Sequence, residues 1–153
     1  MKNLKIGICG WGNVATGLYK TINSNYELIR SNGNVDIEIV VIGARRDNPK
    51  CNPVNVKIER DIFNVMDHEI DVVVELIGGV DVARELILSA IKNKKHVVTA
   101  NKALIAKYGD QLSKIAEDNK VNLEFEAAVC GGVPIIRSLK EGLIANKISR
   151  VYG

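Results

Sequence analysis

Cysteine, proline and aromatic residues are all scarce in this chain of 153 residues, which contains three cysteines, three prolines and 5% aromatic residues. The cysteines are Cys9, Cys51 and Cys130, an odd number without a Cys-x-x-Cys pair. This usage argues against a disulfide framework and against a cysteine zinc site. It favours a reducing compartment, and we therefore expect a cytoplasmic protein.

Long apolar runs and strong charge are also lacking. No stretch reaches the roughly 18 apolar residues of a membrane span, so we expect no membrane partner. A strand pattern begins within about five residues of Met1, so we expect no signal peptide. The formal net charge is +3 and no lysine or arginine run forms a basic stripe, so we expect no nucleic acid partner.

One segment, residues 5–17, carries the strongest functional signal. Its apolar start is typical of a strand and leads into a Gly-x-Gly-x-x-Ala pattern formed by Gly10, Gly12 and Ala15. In a dinucleotide-binding turn the first glycine bends the chain and the second lets the backbone approach a pyrophosphate. The small third residue allows helix and strand to pack closely. The pattern predicts a dinucleotide at the helix N-terminus, and an ordinary glycine-rich turn without a ligand is the alternative.

Strand patterns alternate with helical patterns along the chain. Runs rich in β-branched residues occur at 37–42, 71–77 and 96–99, and apolar residues recur at helical spacing between them. Such continuous runs are typical of parallel strands that are buried on both faces. We predict an α/β fold: a Rossmann-like, doubly wound, mostly parallel sheet with helices on both faces.

The end of the chain departs from this alternation. We predict a dinucleotide-binding Rossmann domain over residues 1–130, followed over 131–153 by the start of a connection to a dimerisation or catalytic region. The strand-like run at 148–153 stops without a cap or a polar tail. We therefore expect the chain to be cut before its natural end.

The end of the second predicted strand bears on the choice of nucleotide. NAD-binding proteins usually place an acidic residue there, which binds the ribose 2′-hydroxyl. This chain presents Arg45 and Arg46 instead. Because guanidinium groups bind phosphate through paired hydrogen bonds, we predict NADP as the favoured cofactor. Asp47 is compatible with NAD as the cofactor instead, and the two arginines can also be interpreted as part of a solvated basic loop.

Two further strands end in polar residues at the same predicted edge of the sheet. Glu75 falls within one of them, where burial would require a hydrogen-bonding partner. Thr99, Asn101 and Lys102 follow the next strand and could meet the nicotinamide ribose and a substrate carbonyl. A lysine there can anchor a charge or transfer a proton, whereas an exposed lysine at a helix start is the alternative.

The last predicted strand ends in a glycine-rich loop that begins at Glu126. A carboxylate beside free carbonyl groups can hold a hard cation through oxygen ligands. A plain turn into a helix near Pro134 is the alternative. His68 and His96 have no partner cluster in the sequence, and we interpret both as structural or surface residues.

Four motifs, in their order and spacing, resemble the N-terminal half of homoserine dehydrogenase: GWGNVATGL, IDVVVELIGG, HVVTANKALIAKYG and FEAAVCGGVPII. The resemblance covers essentially the whole chain. It implies an enzyme that reduces aspartate 4-semialdehyde to homoserine with NADH or NADPH, on the pathway to threonine, isoleucine and methionine, and that is usually a dimer. The family's catalytic lysine and aspartate lie beyond residue 153, so the resemblance implies that this chain is inactive by itself.

The resemblance also assigns roles to positions in this sequence. The residues implied to hold the pyrophosphate and ribose are Gly10, Trp11, Gly12, Asn13 and Val14. Arg46, with Arg45 as its neighbour, is implied near the adenosine 2′ position, while Thr99 and Lys102 would face the nicotinamide. Lys102 alone would also touch substrate. A monovalent cation such as sodium would be held, mostly through backbone carbonyls, by Glu126, Val129, Gly131 and Val133.

Two rival functions stay open at this point. One is the cofactor domain of another small oxidoreductase, such as an aspartate dehydrogenase or a dihydrodipicolinate reductase, against which the TANKALIA segment argues. The other is a dinucleotide-sensing module without catalysis, which the predicted fold alone leaves open because such folds have many functions.

Overall fold

The strands form one parallel sheet in the computed structural model, which describes residues 1–152. They are β1 (Lys2–Cys9), β2 (Val35–Gly43), β3 (Lys57–Glu59), β4 (Val72–Glu75), β5 (His96–Thr99) and β6 (Leu123–Glu124). Their order across the six-stranded sheet is β3-β2-β1-β4-β5-β6, and neighbouring strands all pair in parallel. This is the strand order of a doubly wound fold, so the predicted fold class is confirmed.

Helices fill most of the connections between these strands. They are α1 (Asn13–Ser24), α2 (Tyr26–Gly33), α3 (Asp81–Lys92), α4 (Lys102–Asp118), α5 (Glu126–Val129) and α6 (Ile135–Arg137). A 3₁₀-helix covers Ile62–Asp67, and a short π-helical stretch covers Ser138–Gly142. No helix among residues 1–152 is both long enough and apolar enough to cross a bilayer.

The core lies on both faces of the sheet because alternate residues of a strand point to opposite sides. In β4, Val73 packs in the cluster under α3 and α4, whereas Val72 and Val74 pack in the cluster that includes Ala15 of α1. Ala15 is fully buried. A small residue at this position therefore brings α1 close to the sheet, as the glycine motif predicts.

Some details of the fold do not follow from the apolar spacing of the sequence. The helical stretch after the glycine turn breaks at Asn25 into α1 and α2, whereas α4 continues as a single helix of 17 residues. The three-residue edge strand β3 was missed because so short a run gives no periodicity. Residues 148–152 form no strand, since no sheet edge pairs with them.

Candidate cofactor-binding site

A cleft of about 650 Å³ opens at the carboxyl ends of β1 and β4, where the chain order across the sheet reverses. Its walls are the glycine turn after β1, the segment after β2 and the turn after β4. Doubly wound sheets bind ligands at this switch point. The cleft is therefore the candidate binding site for the predicted dinucleotide.

The two motif glycines have different physical roles. Gly10 has φ +102°, and a Cβ on it would lie 2.6 Å from the carbonyl oxygen of Leu76. Only glycine fits there, since both the backbone angle and the contact exclude a side chain. A Cβ on Gly12 would meet nothing within 4 Å, so this glycine leaves open space at the cleft floor. That is the space a pyrophosphate needs to reach the backbone.

The N-terminus of α1 offers unpaired backbone donors to this space. Gly12 is its N-cap residue and supplies no side-chain hydrogen bond, and the first turn contains no acidic residue. By contrast, α4 begins with a side-chain cap, because Asn101 Oδ1 accepts from the Leu104 N–H at 3.1 Å. An uncapped helix start combines free N–H groups with the positive end of the helix dipole. It is suited to bind phosphate.

Trp11 serves the site through its packing. The residue is 8% exposed, and its ring lies edge-on to Tyr19 at 5.5 Å and donates from Nε1 to the carbonyl of Cys51 at 3.0 Å. Asn48 Nδ2 donates to the Trp11 carbonyl at 3.2 Å, and Tyr19 Oη accepts from the Val54 N–H at 3.0 Å. These bonds fasten the loop after β2 to α1. Sequence reasoning missed Asn48 and Tyr19 because their partners are distant in the chain.

Arg45 and Arg46 line the cleft at the end of β2. Both are exposed, and within residues 1–152 neither guanidinium makes a hydrogen bond or an ion pair. Asp47, the acidic residue that is compatible with NAD, forms an ion pair with Arg60. Arg60 Nη2 lies 2.8 Å from Asp47 Oδ1. The two guanidinium groups are free for a ligand, while the acid is partly neutralised.

A smaller cleft continues from the first one, since Leu76 and Gly78 line both. Val14 and Lys102 lie on its walls. Lys102 is exposed and is the first residue of α4, where the helix dipole disfavours a positive charge. The helix dipole therefore does not stabilise Lys102 at this position, which is compatible with contact between its side chain and a ligand.

Thr99 does not line either cleft. It is fully buried, its hydroxyl donates to Glu75 Oε2 at 2.5 Å, and it accepts from the Asn101 N–H at 3.1 Å. Glu75 is also fully buried, with the partner that burial was expected to require. Burial and the nearby Glu75 carboxyl raise the pKa of the Cys9 thiol to about 12, so this cysteine is unreactive. Contact between Thr99 and a nicotinamide stays a prediction.

The predicted cation loop has its carboxylate already engaged. Glu126 Oε1 accepts from the Ile136 N–H at 2.8 Å, and Oε2 accepts from the Arg137 N–H at 3.1 Å. The side chain therefore caps the start of α6, and a cation held by Glu126, Val129, Gly131 and Val133 stays a prediction. Within residues 1–152 no group of three His, Cys, Asp or Glu side chains is placed to hold a metal.

The two histidines make local contacts away from the clefts. His68 Nε2 lies 2.9 Å from Glu59 Oε1, and His96 Nδ1 accepts from the Asn122 N–H at 2.9 Å. The pKa of Glu59 is lowered, first by its hydrogen bond with Lys57 and then by that with His68. Both histidines belong to the framework of the sheet, as the sequence interpretation had them.

Fold and cleft together define a Rossmann-type dinucleotide-binding domain. The family model described as the homoserine dehydrogenase NAD-binding domain matches residues 10–126. This chain belongs to that family, and the resemblance seen in the sequence is confirmed. A homoserine dehydrogenase of Pseudomonas aeruginosa is 50% identical over 154 residues, and one of Bacillus subtilis is 36% identical over 157 residues. Both matches span 100% of this chain but 36% of the relative.

Solved structures agree with the family assignment. A homoserine dehydrogenase from Thiobacillus denitrificans superposes with a TM-score of 0.88 at 44% identity, over 95% of this chain and 34% of that one. A hyperthermophilic archaeal homoserine dehydrogenase in complex with NADPH has a TM-score of 0.75 over 94% of this chain and 50% of that one. Its identity is 24%, so that likeness shows the fold alone.

Proposed function

We propose that this chain is the cofactor-binding part of a homoserine dehydrogenase that reduces aspartate 4-semialdehyde to homoserine, on the route to threonine, isoleucine and methionine. The observation that carries its cofactor-binding part is the uncapped N-terminus of α1 above the open space at Gly12, while the reaction and substrate are supported by membership in the family. We place the dinucleotide-binding domain at residues 1–130 and the start of a connection to further domains at 131–153. The bound nicotinamide would supply the hydride, and the residues of this chain would bind and orient the cofactor.

The two connected clefts support one orientation of the cofactor. The pyrophosphate would lie against Gly12 and the first turn of α1, with the adenosine end towards Arg45 and Arg46. The nicotinamide end would then enter the smaller cleft, beside Val14 and Lys102. Lys102 is the residue of this chain that we propose also meets the substrate. The catalytic groups themselves would lie outside these residues, so we expect this chain alone to show no dehydrogenase activity.

Binding of the dinucleotide tests the proposal directly. Trp11 is the single tryptophan and lies at the cleft, so its emission should be quenched as the reduced nicotinamide cofactor binds. Calorimetric titration with NADPH and NADH would give both affinities. If neither cofactor binds, the proposed function is overturned. Reduction of NADP with homoserine by this chain alone would contradict the proposal that the catalytic groups lie outside these residues.

We propose NADP as the preferred cofactor because the free guanidinium groups at the adenosine end can pair with a 2′-phosphate. The pairing of Asp47 with Arg60 supports this choice, since it partly neutralises the acid that could bind a 2′-hydroxyl. The archaeal homoserine dehydrogenase with NADPH bound provides a precedent in the same fold.

The double substitution of Arg45 and Arg46 by alanine should weaken NADPH binding by about thirtyfold, since charge-assisted hydrogen bonds to the 2′-phosphate are lost. Affinity for NADH should change by less than about twofold, because its ribose carries no phosphate. Titration of both cofactors measures the two effects, with Arg30→Ala on α2 as a control of equal chemistry outside the cleft. Equal loss of both affinities would contradict a 2′-phosphate role.

We also propose that sodium binds this chain. It would be held mostly through main-chain carbonyls of the loop that contains Glu126, Val129, Gly131 and Val133. The hydrogen bonds from the Ile136 and Arg137 N–H groups to Glu126 support the shape of this loop. Sodium chloride should raise the melting temperature relative to choline chloride at equal ionic strength, because a ligand that binds only the folded state stabilises it. Equal melting temperatures in the two salts would remove the cation from the proposal.

The remaining parts concern the whole protein. We propose a homodimer, as the family resemblance implies, and a cytoplasmic location. The latter is supported by three free cysteines, of which Cys130 is exposed. Size-exclusion chromatography with light scattering on the full-length protein tests the dimer.

A further inference from the structure

One buried carboxylate, that of Glu75, belongs to the lining of the smaller cleft and has no part in the proposed function. Glu75 is the last residue of β4, and in the sheet register it lies between Cys9 of β1 and Thr99 of β5. All three side chains are fully buried. Burying a carboxyl group is costly unless hydrogen bonds compensate it, so the contacts of Glu75 have to account for its presence.

The hydrogen bonds of Glu75 have a fixed direction. The Asn101 N–H donates to Thr99 Oγ1 at 3.1 Å, so the single hydroxyl hydrogen of Thr99 is left to donate to Glu75 Oε2 at 2.5 Å. The other oxygen, Oε1, accepts from the Ile77 N–H at 2.9 Å. One carboxylate oxygen is thus bonded to the turn after β4, and the other is bonded through Thr99 to the turn after β5.

These two turns form the walls of the smaller cleft. Gly78 comes from the first turn, while Asn101 and Lys102 come from the second. Asn101 also joins the turns directly, because its Nδ2 donates to the Gly79 carbonyl at 2.5 Å while its Oδ1 caps α4. Two hydrogen-bonded links therefore set the separation of the walls: the chain from Glu75 through Thr99 to Asn101, and the direct bond from Asn101 to Gly79.

We propose that Glu75 is a positioning residue which, through Thr99 and Asn101, sets the start of α4 and Lys102 against the glycine turn at 78–79. It thereby shapes the nicotinamide end of the site through its hydrogen bonds, since both of its carboxylate oxygens are bonded to the protein. The adenosine end depends on other contacts, those of Trp11 and Asn48. This inference rests on the proposed function, since it assumes that a dinucleotide lies across both clefts.

Glu75→Gln tests the proposal because it keeps the side-chain shape but leaves one acceptor oxygen for two donors. Affinity for NADPH should fall by about tenfold as the cleft walls shift, since a buried donor loses its partner. Affinity for adenosine 2′,5′-bisphosphate, which reaches the adenosine end alone, should stay within about twofold. Glu69→Gln is the matched control, since Glu69 is an exposed glutamate paired with Lys5.

A second pair of variants keeps the test decisive if Glu75→Gln does not fold. Thr99→Val removes the hydroxyl that links the two turns and should show the same selective loss, whereas Thr99→Ser should restore most of the NADPH affinity. Unchanged NADPH affinity, an equal loss for both ligands, or loss of folding in both Glu75→Gln and Thr99→Val would overturn the positioning role. A wild-type chain that binds neither ligand would overturn the proposed function itself, a distinguishable result.

Discussion

Gly12→Asp should reduce the affinity for NADPH at least about a hundredfold while leaving the fold intact. The new carboxylate would lie at the N-terminus of α1, in the open space where we place the pyrophosphate. Two like charges about 4 Å apart repel by roughly 4 kcal/mol at an effective dielectric of about 20, which corresponds to far more than a hundredfold. The carboxylate would also occupy the N–H groups that the phosphates need.

The same substitution should not harm stability, and this distinguishes loss of a ligand site from loss of the fold. Gly12 has φ −89° and ψ −163°, an extended conformation that an aspartate N-cap adopts readily. An aspartate at a helix N-terminus is favourable, so the free energy of unfolding should stay equal or rise by about 0.5 kcal/mol.

Urea denaturation and NADPH titration of one preparation measure both effects of Gly12→Asp. Gly12→Ser, a neutral cap in the same place, should lose much less affinity because it adds no charge. Wild-type affinity in Gly12→Asp would show that the phosphates bind elsewhere.

Features set by short-range geometry could be predicted from the sequence. Gly10 and Ala15 follow from the requirements of one turn and one helix contact, and the structure has both as expected. The inward face of α3 follows from helical periodicity alone, since Ala83, Leu86 and Ile87 are all fully buried. The fold class could be predicted because strand patterns alternate with helical patterns along the chain.

Features that join distant parts of the chain could not be predicted in this way. The pairing of Asp47 with Arg60 depends on how β3 returns beside β2, and β3 is too short to show in the sequence. The bond from the Thr99 hydroxyl to Glu75 depends in the same way on the register of β4 and β5. Strand register, which a single sequence does not reveal, therefore decides which polar strand ends pair with one another.

Gly10→Ala should lower the free energy of unfolding by about 3 kcal/mol, which is among the larger effects of a single methyl group. At φ +102° an L-residue is strained, and the new Cβ would lie 2.6 Å from the Leu76 carbonyl oxygen. If the turn moved to relieve this clash, the 2.8 Å hydrogen bond from the Gly10 N–H to the Gly43 carbonyl would break. The floor of the cleft would then be displaced.

Urea denaturation followed by far-ultraviolet circular dichroism measures the loss, and Gly17→Ala is the matched control. Gly17 lies within α1 with nothing within 4 Å of its added Cβ, so the same change should raise the free energy of unfolding by about 0.5–1 kcal/mol. The two substitutions differ only in backbone conformation and surroundings. A Gly10→Ala protein as stable as the wild type would mean that the turn after β1 is not the rigid element on which the cofactor site is built.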